Sequence, residues 1–394
     1  MPLFVKRALA ALAVTLCLAD TVAAAPCWQT LDIKPQAILF WNTPEKLCGY
    51  QNMESLWSAN TVSKGGSAAS PMQHGKALAL EDVTTGFMRK NGVYGLLVLH
   101  DGVVVQERYR GGFGPGKRWT SFSMAKSLTG LLVGAAIADG RIKSLDDRVA
   151  DYLPELARGA YAPVTIRQLL TMTSGVAWNE NYRDAKSDVA KLADLASGTE
   201  RNFLAYMASR PRKAPPGTVF TYSTGEAGII GHLVRRATGK NLAVYMAEKI
   251  WSRLGMERDA VWITDRSGAE VSGCCFSATL RDYARIGRFM LEDGKIGGEA
   301  ILPSGWMRET ATASRPSRNR KRPYGYQMWV RENGAYQASG IFGQLIHVDP
   351  ARNLVVVMLS AWDSAVGTAK QHEDRRAYLA AVKRAVDART KGKR

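Results

Sequence analysis

A helix that is apolar on every face persists in water only if other elements cover all of it. The stretch from Trp119 to Gly140 reads as such a helix, starting near Ser123 and stopped at Gly140, a residue type that turns left-handed readily. Met124, Leu128, Leu131, Leu132, Val133, Ala136 and Ile137 fall all round it. Gly130 and Gly134 weaken a helix, and the return expected is close approach of a neighbouring element. Wrapping this element calls for a sizeable core. A chain of 394 residues, 46% of them hydrophobic, can supply it as one large domain or two intimate ones. Two polar side chains, Ser123 and Lys126, interrupt the mouth of the helix. Three apart, they share one face within one turn. Burial and the positive end of the helix dipole both disfavour an ammonium there. A serine hydroxyl beside a lysine of lowered pKa is an arrangement that makes a nucleophile. The bland alternative is a serine that only caps the helix and a lysine that snorkels outward.

Residues 1–25 have their own logic. Lys6 and Arg7 precede an apolar run from Ala8 to Leu18, and Ala23 to Ala25 are small, the pattern of a secretory signal. Export, to the periplasm or the medium, is therefore expected. No later stretch approaches about 18 uninterrupted apolar residues, so no transmembrane segment is expected. Of five cysteines, Cys17 leaves with the signal, and Cys27 and Cys48 are placed to close a small loop in an oxidising compartment. Cys274 and Cys275 are adjacent and are compatible with free, buried thiols. There is no Cys-x-x-Cys, and His74, His100, His232, His347 and His372 are scattered, so neither a metal nor a cofactor is expected. The net charge of +18 invites a nucleic-acid reading. Much of the excess sits in the signal, in Arg315 to Arg322 and in the tail from Lys391, with no stacking aromatics interleaved. A solvated basic face is the better reading, with no nucleic-acid partner. The glycine-rich run 111–116 is read as a connector, because no phosphate-binding pattern follows it.

Residues 26–90 read as a loosely structured lead-in, with a linker-like composition from Thr61 to Ser70. Val93 to Leu99, the turn Asp101-Gly102 and Val103 to Tyr109 form a hairpin pattern. Residues from 140 to about 300 read mainly as helices, over Ile166–Met172, Arg201–Ser209, Glu226–Thr238 (ended by Gly239), Leu242–Leu254 and Thr279–Glu292. Strand periodicity returns at Tyr324–Arg331, Tyr336–Ser339, Gln344–Val348 and Leu354–Leu359, before a charged helix over His372–Ala388. The organisation expected is an α/β (α+β) domain over 91–394, its antiparallel sheet built from both chain ends and flanked by helices, with a helical insert between.

A serine without a histidine needs another base, and no Gly-x-Ser-x-Gly elbow is present. Two further segments stand out. Pro215 to Gly225 places Tyr222 on a loop between rigid neighbours, and Ala338 to Gln344 leaves a strand edge open through its glycines. Ser123-Met-Ala-Lys126, Tyr222-Ser-Thr224 and Ser339-Gly340 resemble, in order and rough spacing, the three motifs of serine β-lactamase-like hydrolases. The chain is most similar to the branch holding class C β-lactamases, DD-peptidases, family VIII esterases and 6-aminohexanoate-dimer hydrolases. The phrases Leu169–Gly175, Ala278–Arg285, Asp139–Asp147 and Trp178–Asp184 resemble that family too. Gly340 to Gln344 and the total length look most like its aminohexanoate-dimer members. The resemblance covers residues from about 85 to 385.

That resemblance implies a β-lactamase/DD-peptidase-like fold and a set of roles. Ser123 would be the nucleophile that becomes acylated, and Lys126 would share or accept its proton. Tyr222, kept partly ionised by the nearby ammonium, would relay that proton to the leaving group. The backbone N–H groups of Ser123 and Ile341 would hold the oxyanion. Tyr182, Thr224, Ser339 and Gly340 would contact substrate, a small ester or linear amide. Two positions depart from β-lactamases: Thr224 stands where they carry Asn, and Ala338 where they carry Lys or His. Both count against β-lactam turnover. The alternatives are a DD-peptidase or weak class C-like β-lactamase, and a catalytically inactive sensor or binding protein on the same fold. The oligomeric state is left open.

Overall fold

Successive residues of a strand face opposite ways, so a strand apolar at every position has to be covered on both sides. Val93–His100 and Leu354–Ser360 are such strands, buried throughout. In the computed structural model, which describes residues 25–391 apart from 35, 67, 196–197 and 313–322, they lie side by side at the centre of the molecule. The expected signal segment up to residue 24 and the basic loop lie outside the described residues.

In chain order the main elements are α1 (Thr43–Gly49), β1 (Ala59–Val62), α2 (Glu81–Lys90), β2 (Val93–His100), β3 (Val103–Tyr109), β4 (Trp119–Thr120) and α3 (Met124–Ala138). Then follow α4 (Ile166–Leu170), α5 (Asp188–Leu195), α6 (Glu200–Ala208), α7 (Thr224–Thr238), α8 (Leu242–Lys249), β5 (Ala260–Ile263), β6 (Phe276–Ala278) and α9 (Leu280–Leu291). The chain ends through β7 (Trp329–Val330), β8 (Tyr336–Ser339), β9 (Leu345–Asp349), β10 (Leu354–Ser360) and α10 (Ala369–Lys391). Six strands make one antiparallel sheet in the order β3-β2-β10-β9-β8-β7, so both chain ends build it, as expected. A second antiparallel sheet has the order β1-β5-β6-β4.

Alternation along the central strands divides the core. Leu97, Leu99, Val355, Val357 and Leu359 join the main cluster with α3 and α9. Leu96, Val98, Val356 and Met358 face the other way, onto Met88 of α2 and Tyr378 and Val382 of α10. Gly287 of α9 lets the helix sit on the sheet, since a Cβ there would meet Val355 Cγ1 at 2.4 Å. In α3 every residue from Met124 to Ala136 is buried. Its glycines do what their cost implied: a Cβ on Gly130 would stand 3.0 Å from the Tyr326 carbonyl oxygen, and one on Gly134 2.9 Å from the Trp306 ring.

Two expectations need correction. The lead-in is not loose. It carries α1, β1 and α2, β1 pairs with β5 from Ala59–Ile263 to Val62–Ala260, and Trp41, Tyr50 and Val62 belong to the main core. Elements of four to ten residues held by partners some 200 positions away leave little periodic signal. The strand expected over Tyr324–Arg331 shrinks to β7, because the backbone turns at Gln327 (φ 59°) and Tyr324 bridges back to Trp329.

Candidate active site

Ser123 is presented by a turn rather than by a strand or a relaxed helix cap. Phe122, just before it, has φ 44°, a left-handed conformation that an aromatic residue adopts only when its surroundings impose it. The imposing neighbours are aromatic: Tyr50 lies 5.0 Å and Phe342 5.2 Å from Phe122 between ring centroids. Ser123 itself stands at the N-terminal boundary of α3 and is 7% exposed.

Lys126, one helical turn on, is 1% exposed. Its Nζ donates to Ser123 Oγ at 2.9 Å and to the Gly273 carbonyl at 2.8 Å. Burial lowers its pKa to about 8, against a smaller raising effect from the Glu180 carboxylate. Lys126 therefore does not snorkel, and Ser123 makes no side-chain cap bond to its own helix. Tyr222 completes the group. Its hydroxyl is near enough to Ser123 for that side chain to offset part of the burial effect, and its ring centroid lies 5.2 Å from Lys126 Nζ. The ring stacks on Trp329 at 5.5 Å, and the loop is held where Thr221 N–H donates to the Met172 carbonyl at 2.9 Å. The expectation of a partly ionised Tyr222 is not met. Burial first, then the Glu180 charge, push its pKa well above the ordinary phenol value. Among these three groups the lysine is the one that gives up its proton most easily near neutral pH.

Glu180 is the residue that sequence reasoning passed over. It sits in the loop Trp178–Asp184, which reads as merely polar. Its carboxylate accepts from the Thr224 N–H at 2.9 Å and the Tyr182 hydroxyl at 2.7 Å, and also from the Thr224 hydroxyl and the Trp178 indole. One acid thus ties the Tyr182 loop to the start of α7 and sets the field felt by Lys126 and Tyr222. A hint was available: in a polar loop, an acid between two aromatics with polar tips has ready hydrogen-bond donors on either side.

The third segment closes against the nucleophile turn. A Cβ on Gly340 would meet the Ser121 carbonyl oxygen at 2.4 Å, so only glycine lets this strand end approach. Ser339 accepts from Gln337 Nε2 at 2.7 Å. Ile341 follows, and Phe342 again has a positive φ, 59°. Lys46 of α1 secures this corner: its Nζ donates to the carbonyls of Trp362 and Asp363 at 2.8 and 3.0 Å and lies 4.7 Å from the Phe342 ring centroid. Ala338 is buried in the core, at 1% exposure.

Ser123, Lys126, Tyr182, Thr224 and Ile341 line one cavity of about 340 Å³. Tyr222, Ser339 and Gly340 stand beside it and not in its lining. Cys274 and Cys275, whose state the sequence left open, also line it and are joined to each other. Cys275 has φ 68°, which turns the backbone so that neighbouring side chains meet, and both residues are partly exposed. Cys27 and Cys48 are joined too, as expected. Among the described residues, no cluster of three or more His, Cys, Asp or Glu has metal-binding geometry, and no helix is long and apolar enough to cross a membrane.

Known proteins are similar to this chain in sequence and in fold. The 6-aminohexanoate-dimer hydrolase of Paenarthrobacter ureafaciens is 32% identical over 309 residues, covering 74% of this chain and 78% of that protein. Esterase EstB of Burkholderia gladioli is 32% identical over 152 residues, 36% of this chain and 38% of the esterase. The solved structure of a Bacillus anthracis protein provisionally assigned as a 6-aminohexanoate-dimer hydrolase superposes with a TM-score of 0.78 at 24% identity. It covers 89% of this chain and 96% of its own. A family VIII carboxylesterase shares the fold at TM-score 0.61 and 18% identity, over 76% of this chain and 97% of that one. The Beta-lactamase family model matches residues 80–381, more than half of the sequence, and the chain belongs to that family as one of its hydrolases.

Proposed function

We propose that this protein is an exported serine hydrolase that cleaves esters or small linear amides through a Ser123 acyl-enzyme. The observation that carries the reading is the 2.9 Å hydrogen bond between Lys126 Nζ and Ser123 Oγ in a site where the amine is nearly dry. With a pKa lowered to about 8, a useful fraction of Lys126 is free amine at neutral pH and can take the serine proton. As that proton moves to Nζ, Oγ bonds to the substrate carbonyl carbon, and the backbone N–H groups of Ser123 and Ile341 receive the oxyanion. Tyr222 keeps its proton in the resting site and donates it to the leaving oxygen or nitrogen as that bond breaks. The Lys126 ammonium then reprotonates the phenol, and water attacks the acyl-enzyme by the same steps in reverse order. Tyr182 and Thr224, held by Glu180, are the contacts offered to substrate.

The relatives named for 6-aminohexanoate-dimer and ester hydrolysis support a linear substrate. So does the lack of a cation at Ala338, whose methyl group is packed in the core. A charge-assisted hydrogen bond missing from a dry site costs about 1.5–3 kcal/mol, or one to two orders of magnitude in specificity. Labelling with a fluorophosphonate, followed by assays on p-nitrophenyl esters, aminohexanoate oligomers and nitrocefin, tests the reading. Ser123 becomes labelled, and kcat/KM for p-nitrophenyl butyrate exceeds that for nitrocefin by about a hundredfold or more. Equal rates on nitrocefin and simple esters would make the protein a β-lactamase instead.

A further inference from the structure

The cavity that opens at Ser123 is built more elaborately than acetyl transfer requires. Its lining includes Lys126, Ile341, Tyr182 and Cys274 and, from α5 and α6, Leu192 and Phe203. The fourth side is not supplied by the sheet or the helical insert. It is supplied by the N-terminal segment, through Ile33, Ile38, Leu39 and Trp57.

That segment forms a strap. One end is tied by Cys27 to Cys48 in α1, which Lys46 anchors to the carbonyls of Trp362 and Asp363. Its far end is fixed by Trp41, whose indole donates to the Asp32 carbonyl at 2.9 Å and stacks on Trp57 at 6.1 Å between centroids. Between them Gln36, at φ 69°, turns the strap over the cavity and donates to the Ala190 carbonyl of α5 at 3.4 Å. Ile38 and Leu39 face inward and are partly buried against the core.

Most of the wall is aliphatic and aromatic, which favours an apolar occupant; Lys34 of the strap and His232 of α7 are polar exceptions. Two carboxylates reach the far wall; both oxygens of Glu270 are engaged, and Asp265 is engaged through Oδ1. Glu270 accepts from the N–H groups of Leu242 and Ala243, both at 3.1 Å, and from Asn60 at 2.8 Å. Asp265 accepts from the Ser267 and Ala269 N–H groups at 2.8 and 2.9 Å. The direction of the substrate follows from Tyr222. As proton donor to the leaving group it must stand beside that group, and Tyr222, its stacking partner Trp329 and Tyr324 all lie outside the cavity lining. The leaving group belongs on that aromatic side, which leaves the cavity to the acyl group.

We propose, resting on the acyl-enzyme reading above, that the cavity is an acyl-chain pocket closed by the N-terminal strap, and that the preferred substrates are esters or amides of medium-length linear acyl groups. The test is a series of p-nitrophenyl esters from acetate to decanoate, set beside a series of acetates with lengthening alkyl alcohols. From acetate to hexanoate kcat/KM rises about fourfold per methylene, the gain from moving each methylene out of water, while alcohol length has little effect. Leu192→Trp, which narrows the pocket from α5, shifts the optimum to shorter chains. The double variant Ile38→Ala with Leu39→Ala, which removes the strap's inner face, flattens the slope to less than about twofold per methylene. The two variants alter different elements, α5 and the strap, so a folding failure in one leaves the other decisive. A flat profile in wild-type protein whose Ser123 is labelled by fluorophosphonate overturns the pocket and leaves the acyl-enzyme standing. A rise with alcohol length overturns the assignment of the acyl side. Absence of both labelling and ester turnover overturns the acyl-enzyme reading and the pocket with it.

Discussion

Among the described residues two lysines lie buried, and the surroundings of each decide what it can do. Lys126 at the mouth of α3 is 1% exposed and Lys46 in α1 is 2% exposed. Burial lowers the pKa of both. The difference lies in what receives their protons. Lys46 has two backbone carbonyls and an aromatic face, with the Asp363 charge offsetting part of the burial effect. Every one of those partners prefers an ammonium. Lys126 also has a carbonyl and an aromatic face, that of Tyr222, but its other partner is a serine hydroxyl, which can give its proton as readily as accept a hydrogen bond. Burial alone therefore does not make a catalytic lysine; a partner that can exchange protons does.

The sharpest way to break this contrast is to remove each partner in turn. Ser123→Ala, Lys126→Ala and Tyr222→Phe should each lose several orders of magnitude in kcat/KM, and the double variants should be scarcely worse than the singles, since residues acting as one unit are not additive. Lys46→Met should lose no more than about tenfold, through looser placement of Phe342 and Ile341. Steady-state kinetics on one activated ester measures all of them. A Ser123→Ala variant with near wild-type rates would end the proposed mechanism, and a Lys46→Met variant as dead as Lys126→Ala would erase the distinction between the lysines.

The two lysines also differ in how visible they were in the sequence. Lys126 was legible because a charge three residues after a serine, at the start of an otherwise apolar helix, has nowhere to go. Lys46 was not, because a lysine in the short segment Thr43–Gly49 looks like any solvated one. Its burial comes from carbonyls more than 300 residues away. The same rule covers the rest of the molecule. The Val93–Tyr109 hairpin, the helix stops at Gly140 and Gly239, and the Tyr336–Ser360 meander are local patterns, and they stand in the structure. The β1–β5 pairing and the strap over the cavity depend on partners distant in sequence. Glu180 failed to stand out for a third reason: its importance comes from four donors that converge on it only once the loop is folded.

A second test exploits titration. If Lys126 works as free amine, kcat/KM should fall about tenfold for each pH unit below about 8 and level off above it. Lys46→Met should keep the same midpoint, because Lys46 exchanges no proton with the reacting groups. A profile flat from pH 6 to 9 would show that Lys126 is not the base. A midpoint that moves by a unit or more in the Lys46 variant would show that the two sites are coupled.

The smallest effect is on stability, and here the two lysines should differ in sign. Lys126 titrates at about 8 in the folded protein and near 10.5 when exposed on unfolding. Below pH 8 both states hold the proton, and the folded state bears the full cost of a desolvated ammonium, about 3 kcal/mol for a shift of this size. Between pH 8 and 10.5 the unfolded state binds more protons, so wild-type stability rises with pH until that cost is gone. Replacing Lys126 by Met removes that cost at pH 7 but leaves the buried Gly273 carbonyl without its donor, which offsets about 1–3 kcal/mol of it, so urea denaturation should find the variant as stable as wild type or more so, by up to about 2 kcal/mol. Its stability should also lack that rise from pH 8 to 10.5. Lys46→Met keeps the volume but leaves the Trp362 and Asp363 carbonyls without their donor, which costs about 1–3 kcal/mol when such groups are buried. The expected order at pH 7 is therefore Lys126→Met at the top, wild type next and Lys46→Met last. Equal losses in the two variants would mean that Lys126, like Lys46, is held in the fold chiefly by its hydrogen bonds. The lowered pKa would then be a by-product of structure, not a feature kept at the expense of stability.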